Sequence, residues 1–512
     1  MTAPRLGPRV GVCGTFDLAN YGDLLFPRIF ELEISRRLPL ADIRSYGPLG
    51  HLHPVAMDGG RPALPLGRPD SVRRSQIAGD LDLFAVGGGE IAHLRDDVYG
   101  SYYGLAPAEA TELAPSGWFV DGLGAERERL CPVVWNAVGV PFAFEGDDAE
   151  RVRRALSSKA YVSVRDETSR ARLLETGTDR EVHVVPDTVL LLHRLFSRQV
   201  LERRLRFLSA MGWYPAEGRP LVVQGSAWIS RDAPEVAHAV ESALEGKDVP
   251  TVLVETGPCH DDAEFADAVA ALLPGEVYRM PGAVSLADVA TAIAHARAYA
   301  GLSLHGAVTA RAYDVPFLLL NLAGYSKLDG FVDLVGRKGS LVREAAALEP
   351  ALRSLLAEEA PAEPGLRPSL ERSIDAHFDA IAELAERSWS ARVEGDGDTD
   401  AKSLSRTLAV SEARRESIEQ AFAARGERLI EERLRLVEII EGLEGRSGAD
   451  RAGVEQAAGL QNELERLDSA LAAARLEAEA ATRENVALRA ELDRQPRYRR
   501  LARALARRVS RR

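Results

Sequence analysis

The first half of the chain alternates short apolar runs with stretches of helical periodicity, the pattern of a parallel sheet whose strands are joined by crossover helices. Residues 10–14 read as a buried strand, followed by a loop and then a helix over about 22–37. Further strands are predicted at 41–46, 81–86, 132–138, 160–164 and 182–185. Residues 166–175 are predicted helical, with Asp166 placed to cap the helix and Gly177 to end it.

The pattern restarts after an Arg-rich helical connector, residues 195–210, with strands predicted at 221–224, 251–255, 277–280, 298–302 and 315–321 and helices at 285–296 and 306–313. Two consecutive doubly wound units, 1–195 and 196–344, would face one another across a cleft. Sheets of this kind bind ligands at the carboxyl ends of their strands. The expected fold is therefore α/β, with two Rossmann-like domains in a GT-B-like arrangement. Residues 345–392 read as a helical closing segment broken by a proline-rich stretch at 360–368. From 393 to 495 the composition shifts to Ala, Glu, Arg and Leu, with a Gly-rich break near 442–459. Leu464, Leu471, Ala478, Asn485 and Leu492 recur every seven residues, and an Asn in such a seam favours a parallel homodimeric coiled coil in one register. The alternative is a long solvated helix packed on its own globular part. A basic tail, 496–512, ends the chain.

At 512 residues the chain exceeds one hydrophobic core, which agrees with two or three domains. A net charge of −13 argues against nucleic acid as the main ligand. The tail runs against that average: Arg497, Arg499, Arg500, Arg503, Arg507, Arg508, Arg511 and Arg512 would suit anionic lipid headgroups, or simply form a solvated end. Cys13, Cys131 and Cys259 are odd in number and isolated, which suits a reducing compartment. No apolar run approaches the roughly 20 residues of a membrane helix, and the first ten residues do not read as a secretory signal. The expectation is a cytoplasmic protein, with the tail offering contact at the inner face of the membrane. No metal-ligand spacing occurs. Neither a P-loop nor a dinucleotide G-x-G-x-x-G is present, so neither metal nor redox cofactor is expected.

Four segments carry the candidate chemistry. Asn20 and Asp23 flank Gly22 in the first strand–helix loop, where they would position ligands or serve as turn and cap residues. Gly87, Gly88 and Gly89 follow a strand and allow either close approach of a ligand to the backbone or a tight turn. Arg165, beside Asp166 at a strand end, would grip an anion bidentately or pair with Asp166 or Asp187. His305 is placed immediately before a helix, where an imidazole and backbone N–H groups face an anion together. The bland reading of His305 is a capping or buried histidine. Lys327, one of only five lysines beside many arginines, lies just past a strand end, as a site cation or a solvated one.

In order and spacing these segments (Gly14 to Asp23, Ala85 to Ile91, Ser163 to Ser169 with Val185-Pro186-Asp187, and Leu304-His305-Gly306-Ala307 with Val315-Pro316-Phe317 and Tyr325-Ser326-Lys327) resemble the polysaccharide pyruvyl transferase family over about residues 10–327. That resemblance implies transfer of the enolpyruvyl part of phosphoenolpyruvate to a cell-surface glycan or its precursor, giving a pyruvate ketal. It implies His305 as the acid/base group, Lys327 and Arg165 as the anion site, and Asn20, Asp23, Gly88 and Gly89 as ligand-positioning residues. The chain departs from the family at Ser303, where an arginine commonly precedes Leu-His-Gly. A serine cannot replace a guanidinium's fork of donors. Either Arg311 or Arg165 compensates, or the donor differs, or activity is lost. Two other readings stay open: a GT-B glycosyltransferase using a nucleotide sugar, and a catalytically idle dimeric scaffold at the membrane.

Overall fold

In a computed structural model of the chain, residues 7–50, 63–282, 284–358 and 366–394 are described. The first sheet is built outward from β1 (Arg9–Cys13). Its other strands are β2 (Asp42–Gly47), β3 (Leu64–Pro65), β4 (Leu83–Gly87), β5 (Val133–Val138), β6 (Tyr161–Val164) and β7 (His183–Val184). They lie in the order β3-β2-β1-β4-β5-β6-β7, every neighbouring pair parallel. The strand order reverses direction between β1 and β4, which opens a crevice at their carboxyl ends. β4 and β5 are buried along their whole length, as continuous apolar strands covered on both faces should be. Phe84, Trp118, Trp135 and Tyr99 are among the large side chains of this core.

The second sheet repeats the plan. It contains β8 (Leu221–Gln224), β9 (Thr251–Leu253), β10 (Val277–Arg279), β11 (Ala298–Gly301), β12 (Phe317–Leu320) and β13 (Leu341–Val342). Their order is β10-β9-β8-β11-β12-β13, again all parallel, with the reversal between β8 and β11. Both sheets belong to one compact unit, Pro8–Trp389. Two Rossmann-like sheets facing a cleft make the fold GT-B-like. Five helices matter for the site: α1 (Tyr21–Arg37), α2 (Glu167–Leu174), α3 (Leu304–Ala312), α4 (Ser326–Leu334) and the long α5 (Leu366–Glu394).

Most of the strands lie within a residue or two of where hydrophobic patterning puts them. Two short edge strands, β3 and β13, were not expected, nor were the short helices between β4 and β5 (Asp96–Tyr102, Pro107–Leu113, Ser116–Phe119 and Ala125–Glu128). Edge strands of two residues are too short to show a period. The coiled coil, its glycine-rich break and the basic tail lie outside the described residues.

Helix α5 follows the second sheet in sequence but packs on the first domain. His377 is buried there, its Nε2 2.7 Å from Asn136 Oδ1 and its Nδ1 3.2 Å from Tyr161 Oη. Phe378 meets Phe30 edge-on at 6.0 Å. Asp375 accepts from both Arg37 and Arg194, and Arg37 also donates to the fully buried Glu33. At the other end, Arg367 Nη1 donates to the Ala312 carbonyl at the end of α3. One helix thus touches both domains.

Burial pushes the His377 imidazole down to about 3, with His183 and Arg37 adding to the effect. The unfolded chain takes up this proton near pH 6.5 and the folded chain does not. Stability from this group is therefore complete above pH 6.5 and lost as pH falls towards 3. Between pH 7 and 5 the loss should be about 2 kcal/mol. We predict that His377→Gln, followed by urea unfolding at both pH values, shows a pH-dependent loss smaller by about that amount.

Candidate active site

Parallel strands deliver their carboxyl-terminal residues to one edge of the sheet, and both edges face the same cleft here. From the first domain come Asp23 in the first turn of α1, Gly88, Gly89 and Glu90 after β4, Arg165 after β6 and Asp187 after β7. The second domain adds His305 in the first turn of α3 and Lys327 in the first turn of α4.

Asn20 is the N-cap of α1: its Oδ1 accepts the Gly22 N–H at 3.0 Å. Its Nδ2 lies 3.1 Å from His260 Nε2 of the second domain. The Tyr21 N–H donates to the Thr256 carbonyl at 2.7 Å, and Tyr21 Oη lies 2.9 Å from Thr309 Oγ1. The start of α1 is thereby fastened to the second domain. Gly22 completes that approach, since a Cβ built there would stand 1.8 Å from His305 Nδ1. Phe26, one turn on, meets the His305 ring edge-on at 5.2 Å. Gly88, with φ of +89°, leaves Phe26 its place: a Cβ at Gly88 would lie 2.2 Å from Phe26 Cγ. The glycine run therefore packs an aromatic side chain as well as turning the backbone.

His305 Nε2 lies 3.4 Å from Asp187 Oδ2, an ion-pair distance across the domain boundary rather than a well-aligned hydrogen bond. Asp187 is 3% exposed, so an unpaired charge there would be costly. Burial pushes its carboxyl up, but His305 and, further off, Arg165 outweigh burial and hold it below the usual range. Its Oδ1 accepts the Val189 N–H at 3.0 Å. Asp23 goes the other way: burial raises it, and His305, Thr15, Lys327 and Arg165 offset only part of that.

Arg165 is 5% exposed and fits against Gly139, where a Cβ would come 2.8 Å from its Cζ. A bulge in β5 sets up this fit. Ala137 takes a φ of 50°, and the β5–β6 register shifts between Trp135 and Val138. The Arg165 guanidinium reaches Glu90 Oε1 at 3.2 Å and lies 3.5 Å from Asp166 Oδ2. Lys327 Nζ reaches the other oxygen of Glu90, Oε2, at 3.1 Å and lies 4.9 Å from the Tyr325 ring centroid. Burial would raise the Glu90 carboxyl, but Lys327 and Arg165 together hold it low. Tyr325 in turn meets Trp228 edge-on at 6.3 Å, and Trp228 is 58% exposed.

The structure brings Asp23, Arg165, His305 and Lys327 together with Gly88 and Gly89, and sets Asn20 at the rim as a cap. One expectation needs correction. His305 does not precede its helix; α3 starts at Leu304, because Ser303 Oγ accepts the Gly306 N–H at 3.3 Å and caps it earlier than the glycine suggested. The Ser303 N–H donates to Gln224 Oε1 at 2.8 Å. Arg311 lies in the last turn of α3, paired with Asp314 at 3.2 Å, so it is at the far end of the helix from His305. Of the two arginines offered as substitutes for the missing one, only Arg165 is in the cleft. Glu90 and Asp187 lie within the candidate segments just past strand ends, and that position is the signal that marks them. Among the described residues no group of His, Cys, Asp and Glu is arranged to hold a metal ion. Nor is any described helix long and apolar enough to cross a membrane.

Fold and cleft together define a two-domain Rossmann-like protein whose site is assembled from the carboxyl ends of both sheets. More particularly, the chain belongs to the polysaccharide pyruvyl transferase family, whose sequence profile matches residues 20–323, and that family is one of transferases. No curated protein matches it in sequence. Among solved structures it is similar to the UDP-GlcNAc 2-epimerase from Neisseria meningitidis bound to UDP-GlcNAc, at 10% identity and a TM-score of 0.43 over 72% of this chain and 99% of that one. It is also similar to the glycosyltransferase SnogD from Streptomyces nogalater, at 15% identity and a TM-score of 0.37 over 74% of this chain and 100% of that one. Likenesses this distant carry no weight for what the chain does.

The contact between Gly22 and His305 yields a test by contrast. Gly79 is also helical, with nothing within 4 Å of a Cβ built there. Gly79→Ala should stabilise by about 0.5–1 kcal/mol, whereas Gly22→Ala should destabilise by about 1–3 kcal/mol as His305 is pushed aside. Urea unfolding of both variants reads the opposite signs directly.

Proposed function

We propose that the cleft transfers a pyruvyl group from phosphoenolpyruvate to two hydroxyls of a glycan, forming a pyruvate ketal. The observation that carries this reading is the convergence of two cations, Arg165 and Lys327, with the His305–Asp187 pair at the meeting of two sheets, in a chain of this family. Arg165 and Lys327 would hold the phosphate and carboxylate of the donor. His305 would deliver a proton to the methylene carbon, turning it into a methyl group, as one sugar hydroxyl bonds to the neighbouring carbon. Phosphate then leaves from that carbon with its bridging oxygen, and the second hydroxyl takes its place; of the two hydroxyl protons, one returns to His305 and the other goes to the departing phosphate. Asp187 is the partner that steadies the imidazolium and fixes the ring. The exposed Trp228 ring beside Tyr325 offers the acceptor an apolar face next to the cation site.

Ser303 bears on this assignment. Its side chain is used as a helix cap, so the cation that the family commonly supplies at that position is replaced by a structural hydroxyl. The anion site then rests on Arg165 and Lys327, and a weaker hold on the donor follows.

Calorimetric titration of phosphoenolpyruvate should give saturable binding in the millimolar range or tighter. Lys327→Ala or Arg165→Ala should weaken it by about tenfold or more, as expected for loss of a charge-assisted contact. His305→Ala should retain binding but lower turnover by about 10²–10⁴. Binding that ignores both the Lys327 and the Arg165 substitution would sink the assignment. With an acceptor in hand, Trp228→Ala should raise its KM several-fold and leave kcat nearly unchanged, measured by release of inorganic phosphate.

A further inference from the structure

The two cations assigned to the donor are already engaged by a residue of the chain itself. Glu90 Oε1 lies 3.2 Å from Arg165 Nη2, and Glu90 Oε2 lies 3.1 Å from Lys327 Nζ. One carboxylate thus spans a cation from each domain, one oxygen to each, as the carboxylate or phosphate of a small anion would. We propose that Glu90 is a specificity-determining residue that competes with the incoming anion for Arg165 and Lys327, so that only a polyanion able to take both cations from it binds well.

The surroundings support competition over mere scaffolding. Arg165 is 5% exposed and hemmed in by Gly139, so it stays where an anion would meet it. Glu90 is 26% exposed and Lys327 29% exposed, which gives the carboxylate a route to water when displaced. Glu90 follows Gly88 and Gly89, both at positive φ, on a turn and not inside a packed strand. Charge balance points the same way. Asp23, Asp166 and Asp187 also face Arg165, Lys327 and His305, so a singly charged anion would recover little. An anion joining a phosphate to a carboxylate brings enough charge to displace Glu90 and satisfy both cations. The inference rests on the anion-site reading above, but it concerns the site's affinity for anions of any kind, not the pyruvyl chemistry.

The test is calorimetric titration of the full chain with inorganic phosphate and, separately, with phosphoenolpyruvate, for the wild type, Glu90→Gln and Glu90→Ala. Both anions should bind each variant about tenfold more tightly or better, the expected effect of releasing charge-assisted contacts. The gain should vanish when Lys327→Ala is added to Glu90→Gln, which locates it at this pair. Thermal melting checks that each variant folds, and Glu90→Ala serves if the Gln variant does not. A gain for phosphate alone upholds the competition and counts against phosphoenolpyruvate as donor. Unchanged or weaker binding of both anions by a folded Glu90 variant overturns the competition. That holds even if the wild type turns over phosphoenolpyruvate, in which case the pyruvyl transferase reading survives without it.

Discussion

Asp187 is buried at the end of the first domain's last strand, where a carboxylate without a partner would cost several kcal/mol. Its partner is His305, from the other domain, which lies 3.4 Å away and helps hold the Asp187 carboxyl low. Much of the cleft follows from keeping that pair together. Gly22 has to lack a side chain so that the imidazole can lie against α1, and Phe26 borders the ring on one side. Gly88 has to lack one so that Phe26 can do so. Asn20 caps α1 and reaches His260, while the Tyr21 N–H binds the Thr256 carbonyl, fixing the helix against the second domain. Glycines that look like loop punctuation along the chain are, in the folded protein, the clearances needed by one histidine and one phenylalanine.

How much of this was legible in the sequence depends on the range of the interaction responsible. Buried parallel strands are largely apolar, so the run Leu221, Val222 and Val223, set with Gln224 between Pro220 and Gly225, could be bounded as 221–224. Asp166 was readable as a cap because its Oδ1 bonds to the Ser169 N–H only three residues on. The role of Glu90 is not legible in the sequence, since its meaning lies in Arg165 and Lys327, which are distant in sequence and arrive from different domains. The start of α3 was misplaced for a local reason: Gly306 looked like a beginning, whereas Ser303 caps the helix and carries glycine inside it. Burial of Glu33 beneath Arg36, Arg37 and Arg194 likewise needs the fold, because a Glu inside a helix reads as solvated.

Ser303 shows how a single position can serve either of two ends. A guanidinium there would place a third cation at the carboxyl end of β11, close to His305. The serine instead satisfies the helix N-terminus through Oγ and accepts a place beside Gln224, whose Oε1 takes the Ser303 N–H. Gly301 and Gly306 make room nearby for the Tyr299 hydroxyl, which leans on the same Gln224 oxygen at 3.4 Å. The carboxyl end of β11 is therefore joined to Gln224 by neutral hydrogen bonds where a charge would otherwise stand. The two cations that meet at Glu90 then come one from each domain, Arg165 and Lys327.

That division has a mechanical consequence. Arg165 is anchored by backbone pairing to Val138 and by its fit over Gly139, so its position belongs to the first sheet. Lys327 stands on α4, which approaches the first domain so closely that a Cβ on Gly330 would lie 2.9 Å from Asp166 Cγ. Arg172 of α2 reaches Ser326 at 3.3 Å beside it. The distance between the two cations is thus set by how tightly the domains meet, and α5, which touches both, limits how far they can part. An anion gripped by both cations would therefore bridge the two domains, adding its attraction to the contacts that already hold them together.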